Sequence, residues 1–439
     1  MNNRKTILLL FTVGIFFAIL VLVWYFFIKT PSGDGALTNP TNLPIGGNAK
    51  RGSEFINPTQ NNFDDKITTT EVIPGQERKL IKVWDKPTAG LSFFDQNILI
   101  SSTSSVRGSG TSTNEIVIQK RATTTKMIFT DRATGYIYGF NLESKHSYQI
   151  TNSTIPGIYD AYFFNNGSSV IMRYSDENQK IISIRADIPT VIEGGTPRSL
   201  ENIVSLPDNI SSVAVSNSQK SASFVAPNGN GSSIYKTKGN INELIFNSPT
   251  TEINLIYGGD TLYTTNKTSS YSVGYTTDTD KNERVLGDKT GLITVPANNN
   301  LDYLASMWTN AGLSTFIFSK KTSSYRVLNT KTIASKCAWN KSSIYVICGV
   351  PQELKSYDEG LPDAWYMGKV NFVDNLYIID NNLSGENMLF DFSSETKELI
   401  DVIKPTPSSN DDYLGFINKN NGHLWLLNVK LAQDNPVSQ

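Results

Sequence analysis

The distribution of hydrophobic residues divides the chain into two unlike parts. Residues 7–28 form one apolar run without a charged residue, ILLLFTVGIFFAILVLVWYFFI. The run matches the roughly 20 residues needed to cross about 30 Å of hydrocarbon, so it predicts a transmembrane helix. From about residue 78 onward, short β-branched and aromatic runs alternate with Asn, Gly, Asp and Ser turns. That alternation is typical of an all-β protein.

The end of the apolar run favours an uncleaved anchor over a cleaved signal peptide, which is the alternative. The run ends in Trp24-Tyr25-Phe26-Phe27, bulky residues that suit a bilayer interface, whereas a signal peptide has a shorter apolar core and a small-residue cleavage site. A lipoprotein is excluded because no Cys lies near the run.

Basic residues on the two sides of the run predict its orientation. Arg4 and Lys5 precede it, and after Lys29 no basic residue follows until Lys50. Lys and Arg resist translocation, so we expect a cytoplasmic amino terminus (1–6) and an extracytoplasmic carboxyl-terminal domain. The expected location is therefore the cell membrane, as a single-pass protein.

Residues 29–75 are rich in Pro, Gly, Asn and Thr and show no apolar periodicity. This composition predicts a flexible linker, with a coil length of about 35 Å. We expect the folded domain to cover 78–431, and 432–439 to form a carboxyl-terminal tail.

Within the folded domain, seven segments share one pattern: a short apolar run, a few turn residues with Pro or Thr, and a second apolar run. They begin at Leu80, Ser147, Glu201, Glu243, Glu283, Tyr325 and Glu398. Their spacing is close to 40 residues in the middle of the array, which is enough for four short strands and their turns.

This repeat resembles that of β-propellers of the WD40-like and TolB-type kinds, although it has no Gly-His or Trp-Asp signature. The likeness is clearest in Ser408–Val429, SSNDDYLGFINKNNGHLWLLNV, and GYIYGFNL (135–142) and NLYIID (375–380) look like the equivalent third strand of other units. The resemblance implies an all-β, seven-bladed β-propeller and identifies no function; six or eight blades are the alternatives.

The two ends of the repeat array complement each other. The segment Leu80–Pro87 has no partner strands before it, and the last unit ends near Val429 with only three strands. Unpaired strand edges invite aggregation, so we expect the first strand to complete the last blade as its outermost strand.

Two insertions interrupt the repeat. Residues 101–125 are rich in Ser and Thr and predict either a mobile loop or an extended hairpin. The second insertion, 351–372, places Asp358, Glu359 and Asp363 beside Trp365 and Tyr366, and its LPDAWY segment predicts a short helix. These five residues are the candidate binding surface, because aromatic side chains are favoured at interface hot spots. The alternative is a loop that packs its own aromatic residues onto the domain.

The two Cys residues lie in KCAWNKSSIYVIC, which predicts a hairpin turning at Ser342 and Ser343. In that register Cys337 lies directly opposite Cys348, at a Cα separation that a disulfide accepts. We therefore expect a disulfide; two buried thiols are the alternative.

Composition excludes several classes of function. Lys plus Arg total 39 and Asp plus Glu total 40, a balance that argues against nucleic-acid binding. His146 and His423 are far apart in the chain, and no metal-binding or nucleophile motif occurs, so we predict no metal, no cofactor and no enzymatic activity.

The expected function is therefore protein–protein binding or scaffolding in the cell envelope, by a membrane-anchored extracytoplasmic domain with a still unidentified protein partner. The alternative is a carbohydrate-binding protein, glycosidase or lyase that uses the central channel. A glycosidase would require two carboxylates roughly 5 to 10 Å apart at the channel.

Overall fold

The folded domain consists of seven antiparallel sheets of four strands each. The computed structural model describes residues 79–107, 113–239, 241–354, 360–382 and 385–434. This architecture is a seven-bladed β-propeller, so the predicted fold class and blade number are confirmed. The predicted cytoplasmic segment, transmembrane helix and linker (1–6, 7–28 and 29–75) lie outside the described residues.

The first strand of the domain, β1 (Leu80–Trp84), precedes the first complete blade. Blade 1 contains β2 (Thr88–Arg107), β3 (Thr113–Asp131), β4 (Ile137–Phe140) and β5 (Ser147–Gln149). Blade 2 contains β6 (Ile158–Phe164), β7 (Ser169–Ser175), β8 (Ile181–Asp187) and β9 (Glu201–Ser205). Blade 3 contains β10 (Ser212–Val215), β11 (Ala222–Asn228), β12 (Gly231–Lys238) and β13 (Ile241–Ser248). Blade 4 contains β14 (Ile253–Gly258), β15 (Thr261–Asn266), β16 (Val273–Asp278) and β17 (Glu283–Thr290).

The remaining blades complete the ring. Blade 5 contains β18 (Ile293–Pro296), β19 (Asp302–Thr309), β20 (Gly312–Ser319) and β21 (Ser324–Val327). Blade 6 contains β22 (Cys337–Trp339), β23 (Tyr345–Pro351), β24 (Asp374–Asp380) and β25 (Glu386–Phe390). Blade 7 contains β26 (Val402–Pro407), β27 (Tyr413–Asn418) and β28 (Leu424–Asn428), with β1 as its fourth strand. First strands of neighbouring blades contact one another, for example β2 with β6 and β10 with β14, so the first strands line the centre of the ring.

The ring closes by pairing its two ends. Strand β1 pairs antiparallel with β28, with Leu80 opposite Leu427 and Ile81 opposite Leu426. The amino-terminal strand is thus the outermost strand of the last blade, as the sequence predicted. This pairing removes an open edge from both ends of the array.

Apolar side chains from consecutive blades interlock to form the core. Between blades 6 and 7, for example, Ile347 and Leu376 pack in one cluster with Leu414 and Phe416. Phe416 is fully buried, which contributes about 1.5 to 3 kcal/mol relative to an exposed side chain. The core is therefore divided among the interfaces between blades.

The insertion in blade 1 is an extended hairpin. Strands β2 and β3 pair from Thr88 opposite Asp131 to Arg107 opposite Thr113, with one shift of register between Thr88 and Gly90. Of the two structures that the sequence allowed for residues 101–125, the hairpin is the one observed.

The described residues contain few helices, and these are short. Helix α1 (Asp363–Tyr366) lies in the blade 6 insertion, where the sequence predicted it, and a 3-10 helix (Ala334–Lys336) precedes β22. Helix α2 (Val429–Asp434) continues from the last strand, and its Val429 and Ala432 are buried, so the folded domain extends three residues beyond the expected boundary at 431. A further 3-10 helix covers Phe392–Ser394. Across the part of the chain that the structure describes, every helix is too short and too polar to span a membrane.

Candidate functional site

The blade 6 insertion lies on one face of the ring, which we call the upper face. It connects β23 to β24, the second and third strands of the blade. Strands alternate in direction, so second-to-third-strand loops and the connections between blades emerge on the same face. We call residues 360–373, the part of the insertion that leads into β24, the cap.

Polar contacts hold the cap to the neighbouring blades. The Asp363 carboxylate accepts hydrogen bonds from the backbone N and the Oγ of Ser270, at 2.7 and 2.9 Å. Ser270 belongs to the β15–β16 loop of blade 4. The Tyr366 hydroxyl lies 3.0 Å from Oγ of Ser335, just before β22. The cap therefore extends from its own blade across blade 5 to blade 4.

The underside of the cap is apolar. Leu361, Trp365 and Phe372 are buried in one cluster with Leu313 and Ile333 of the propeller. Trp365 is only 3% exposed, so the structure does not offer its side chain to a partner. This packing is the alternative that the sequence left open for this residue, and it fixes the position of the cap.

A buried group of charges lies below Trp365, and we call it the lysine cluster: Lys336, Asp374, Asp401 and Lys419. Lys336 is fully buried, and its Nζ lies 2.8 Å from Oδ2 of Asp374 and also contacts Oδ1 of Asp401. The Lys419 Nζ is 3.9 Å from Oδ2 of Asp401. The formal charges of the four side chains cancel, as burial requires.

The cap closes this cluster from above. Oδ2 of Asp401 accepts hydrogen bonds from Nε1 of Trp365 at 2.9 Å and from the backbone N of Phe372 at 3.1 Å. The Lys336 Nζ lies 4.9 Å from the ring centroid of Trp365 and 5.2 Å from that of Phe372. The lysine cluster therefore has aromatic rings and no open solvent on the cap side.

Burial changes the acidity of the cluster. Desolvation raises the pKa of Asp374 to about 6, against the opposing effect of Lys336, and it lowers the pKa of Lys419. Oδ2 of Asp374 accepts a hydrogen bond from the backbone N of Val402 at 2.6 Å, whereas its buried Oδ1 has no hydrogen-bond partner. Burial thus favours the protonated form of the Asp374 carboxyl group.

The outer surface of the cap presents the side chains that a partner can reach. Tyr366 is 54% exposed and Met367 44% exposed, and Tyr271, which follows the cap's anchor Ser270, is 92% exposed. We call these three residues the aromatic patch. Tyr366 was among the residues predicted from the sequence, whereas Tyr271, a single aromatic residue in a Ser-rich turn, was not.

The five predicted binding residues therefore have different positions. Asp358 and Glu359 lie outside the described residues. Asp363 anchors the cap, Trp365 is buried above the lysine cluster, and Tyr366 lies in the aromatic patch.

A second ionic group lies where the first strands of blades 7, 1 and 2 meet, and we call it the channel cluster: Asp160, Tyr162, Arg173 and Lys404. The Lys404 Nζ contacts Asp160 and donates to the carbonyl of Ala89 at 2.8 Å. Arg173 donates to Oδ2 of Asp160 at 3.2 Å, as does the Tyr162 hydroxyl. Burial raises the pKa of Tyr162, so this phenol stays protonated.

The channel cluster does not have the arrangement that a glycosidase needs. Its carboxylate, Asp160, is neutralised by Lys404 and Arg173, and the neighbouring pair Asp374 and Asp401 is fully buried. A glycosidase pair must instead meet the sugar and a water molecule.

The two Cys residues lie next to the lysine cluster. Cys337, which follows Lys336 directly, is opposite Cys348 in the pairing of β22 with β23. Their sulphur atoms form a disulfide. The register is the one that the short turn predicts.

Comparisons with known proteins agree on the fold alone. No family model matches the chain, and no curated protein matches it. The β-propeller domain of Cps50 (Swd1) from Myceliophteria thermophila is 9% identical with a TM-score of 0.42, and the alignment covers 69% of this chain and 93% of that one. The propeller domain of the trilobed protease from Pyrococcus furiosus is 12% identical with a TM-score of 0.43, covering 69% and 91%.

A third similar structure is an enzyme, an oligogalacturonate lyase in complex with manganese. It is 10% identical with a TM-score of 0.45, and the alignment covers 76% of this chain and 98% of that one. Propellers with different functions thus resemble this chain equally weakly. The strand order defines the class of protein, a seven-bladed β-propeller. In this protein a cap is attached to the upper face of the propeller.

Proposed function

We propose that this protein is a membrane-anchored binding module whose propeller docks a protein partner on its upper face, at the aromatic patch. The observation that carries the proposal is the exposure of Tyr366 and Met367 on the firmly anchored cap, together with that of Tyr271 in the blade 4 loop to which the cap is attached. Large side chains that remain in water on a rigid support are typical of interaction sites.

The anchoring of the cap favours binding. Trp365 and Phe372 are buried, and Asp363 is fixed to Ser270, so the neighbouring Tyr366 is held in place before a partner arrives. A partner therefore loses little conformational entropy in ordering this surface. Tyr also combines a large apolar ring with a polar hydroxyl. It therefore suits a surface that is exposed to water in the free protein and buried in the complex.

The location of the domain follows from the sequence of the amino-terminal region. The uncharged run 7–28 supports membrane anchoring, and the basic residues before it support an extracytoplasmic propeller. The linker 29–75 gives the domain a reach of about 35 Å from the bilayer, which is enough to approach a partner in the cell envelope.

The test compares variants of the full-length protein. Membranes that contain the natural protein, the double variant Tyr271→Ser/Tyr366→Ser or the control Tyr325→Ser are crosslinked and the captured proteins identified. Tyr325 is 55% exposed but lies on β21, the outermost strand of blade 5. We expect the double variant to lose a crosslinked protein that the control retains. Equal recovery from all three membranes would contradict the proposal.

A further inference from the structure

The lysine cluster has the composition of a reactive site. A fully buried primary amine, that of Lys336, is in direct contact with Oδ1 of Asp401, and a second buried carboxyl, Asp374, is 2.8 Å from the same nitrogen. Trp365 and Phe372 cover the amine on the cap side. An amine and a carboxyl held together in this way no longer need to meet by diffusion, which removes the entropic part of the barrier to forming an amide.

We propose that Lys336 and Asp401 form an intramolecular isopeptide bond, in which Lys336 Nζ is joined to Cγ of Asp401 and one water molecule is released. This inference is independent of the partner binding proposed above, because it concerns the maturation of the domain itself.

Asp401 is the acceptor because its two oxygens have different surroundings. Oδ1 contacts the attacking nitrogen, lies at the longer distance of 3.2 Å from Nε1 of Trp365, and is the oxygen that departs. Oδ2 is held by the N–H groups of Trp365 and Phe372, with the Lys419 ammonium nearby at 3.9 Å. When Nζ attacks Cγ, negative charge moves onto Oδ2, and these donors stabilise it as an oxyanion hole does.

Asp374 is the proton carrier. Its carboxylate first takes a proton from the Lys336 ammonium, which leaves a neutral, nucleophilic amine. The buried surroundings, which raise the pKa of Asp374 to about 6, favour that transfer. Asp374 then passes this proton, and later a second one from Nζ, to Oδ1 of Asp401.

The atoms and charges balance without any other reactant. Nζ begins as an ammonium with three hydrogens and ends as an amide with one. The two protons it loses leave with Oδ1 as water, the C–Oδ1 bond breaks as the C–Nζ bond forms, and Asp374 ends as it began. The bond would join the segment before β22 to the segment before β26, which are 65 residues apart in the chain.

Mass spectrometry of the purified full-length protein tests the proposal. After reduction and alkylation, trypsin should fail to cleave at an acylated Lys336. We expect peptide 332–341 to be joined to peptide 398–419, with a mass one water molecule below their sum. Complete cleavage after Lys336, or a link from Lys336 to peptide 370–397, which contains Asp374, would overturn it.

Three variants separate the roles of the residues. Lys336→Arg keeps the charge but removes the nucleophile, so no linked peptide should form. Asp374→Asn keeps the volume but cannot carry a proton, and we expect the link to form about 100-fold more slowly or not at all. Lys341→Arg is the matched control, because it replaces an exposed lysine of the same tryptic peptide outside the lysine cluster and should retain the link. A linked peptide in the Lys336→Arg variant would contradict the proposed nucleophile. Formation of the link at the natural rate in Asp374→Asn would contradict the proposed proton carrier. If a variant does not fold, the digest of the natural protein decides the question.

Discussion

Lys404, on the first strand of blade 7, reaches across the centre of the ring to the carboxylate of Asp160, on the first strand of blade 2. On the way it donates to the carbonyl of Ala89 in blade 1. Asp160 also binds Arg173, whose guanidinium is almost fully buried. Lys404 therefore links the last blade of the ring to the first two, near the point at which the chain closes.

Replacing Asp160 and replacing Lys404 should lower the free energy of unfolding by different amounts. Asp160→Asn leaves the buried Arg173 without its counter-ion and should lower the free energy of unfolding by about 3 to 5 kcal/mol. Lys404→Met removes a partner whose side chain is 36% exposed, so we expect a loss of about 1 kcal/mol or less. Equilibrium unfolding in denaturant measures both, and equal losses would show that Arg173 does not depend on Asp160.

The attachment of the cap to blade 4 depends on Asp363. Asp363→Ala removes both hydrogen bonds from Ser270 and should cost about 1 to 3 kcal/mol. We expect faster hydrogen exchange in the cap, while β23 and β24 keep their protection. Asp208→Ala, which removes a carboxylate from an exposed ion pair with Lys180, is the control and should leave the cap unchanged. Unaltered exchange of the cap in Asp363→Ala would mean that apolar packing alone holds it.

Sequence analysis predicted the features that depend on local pattern. The alternation of short strands and turns predicted the blades, the unmatched ends of the repeat predicted that the first strand completes the last blade, and the short turn predicted the opposition of Cys337 and Cys348. Each of these features follows from periodicity or from pairing between strands that are neighbours in the repeat.

The lysine cluster was missed because its members are far apart in the sequence and each looks ordinary there. A signal was nevertheless present: Lys336 and Asp401 both stand directly before the first strand of their blades. Equivalent positions of adjacent repeats lie side by side in a ring, so opposite charges at such positions predict a contact. The exposure of Tyr271, by contrast, depends on the path that the cap takes over blade 5. The repeat pattern carries no information about that path.

Closure of the ring should dominate its stability. Leu80→Ala removes a buried side chain from the strand that completes blade 7, and we expect a loss of about 2 to 5 kcal/mol in the free energy of unfolding. Ile192→Ala, at a position that is 70% exposed, should change it by about 0.5 kcal/mol or less. Thermal and denaturant unfolding both report the difference. Similar stability of the two variants would show that β1 is dispensable to the closed ring.

The lysine cluster should make stability depend on pH in an unusual direction. The pKa of Asp374 is raised from 3.8 to about 6 by burial, so between these values the folded protein binds a proton that the unfolded chain does not. Its contribution to the free energy of unfolding should therefore be largest below about pH 4 and decline as the pH rises through 6. In Asp374→Asn this contribution is absent. We thus expect the stability of the natural protein, measured relative to that variant between pH 4 and pH 7, to fall as the pH increases; a difference that is constant or rises with pH would contradict the protonation of buried Asp374.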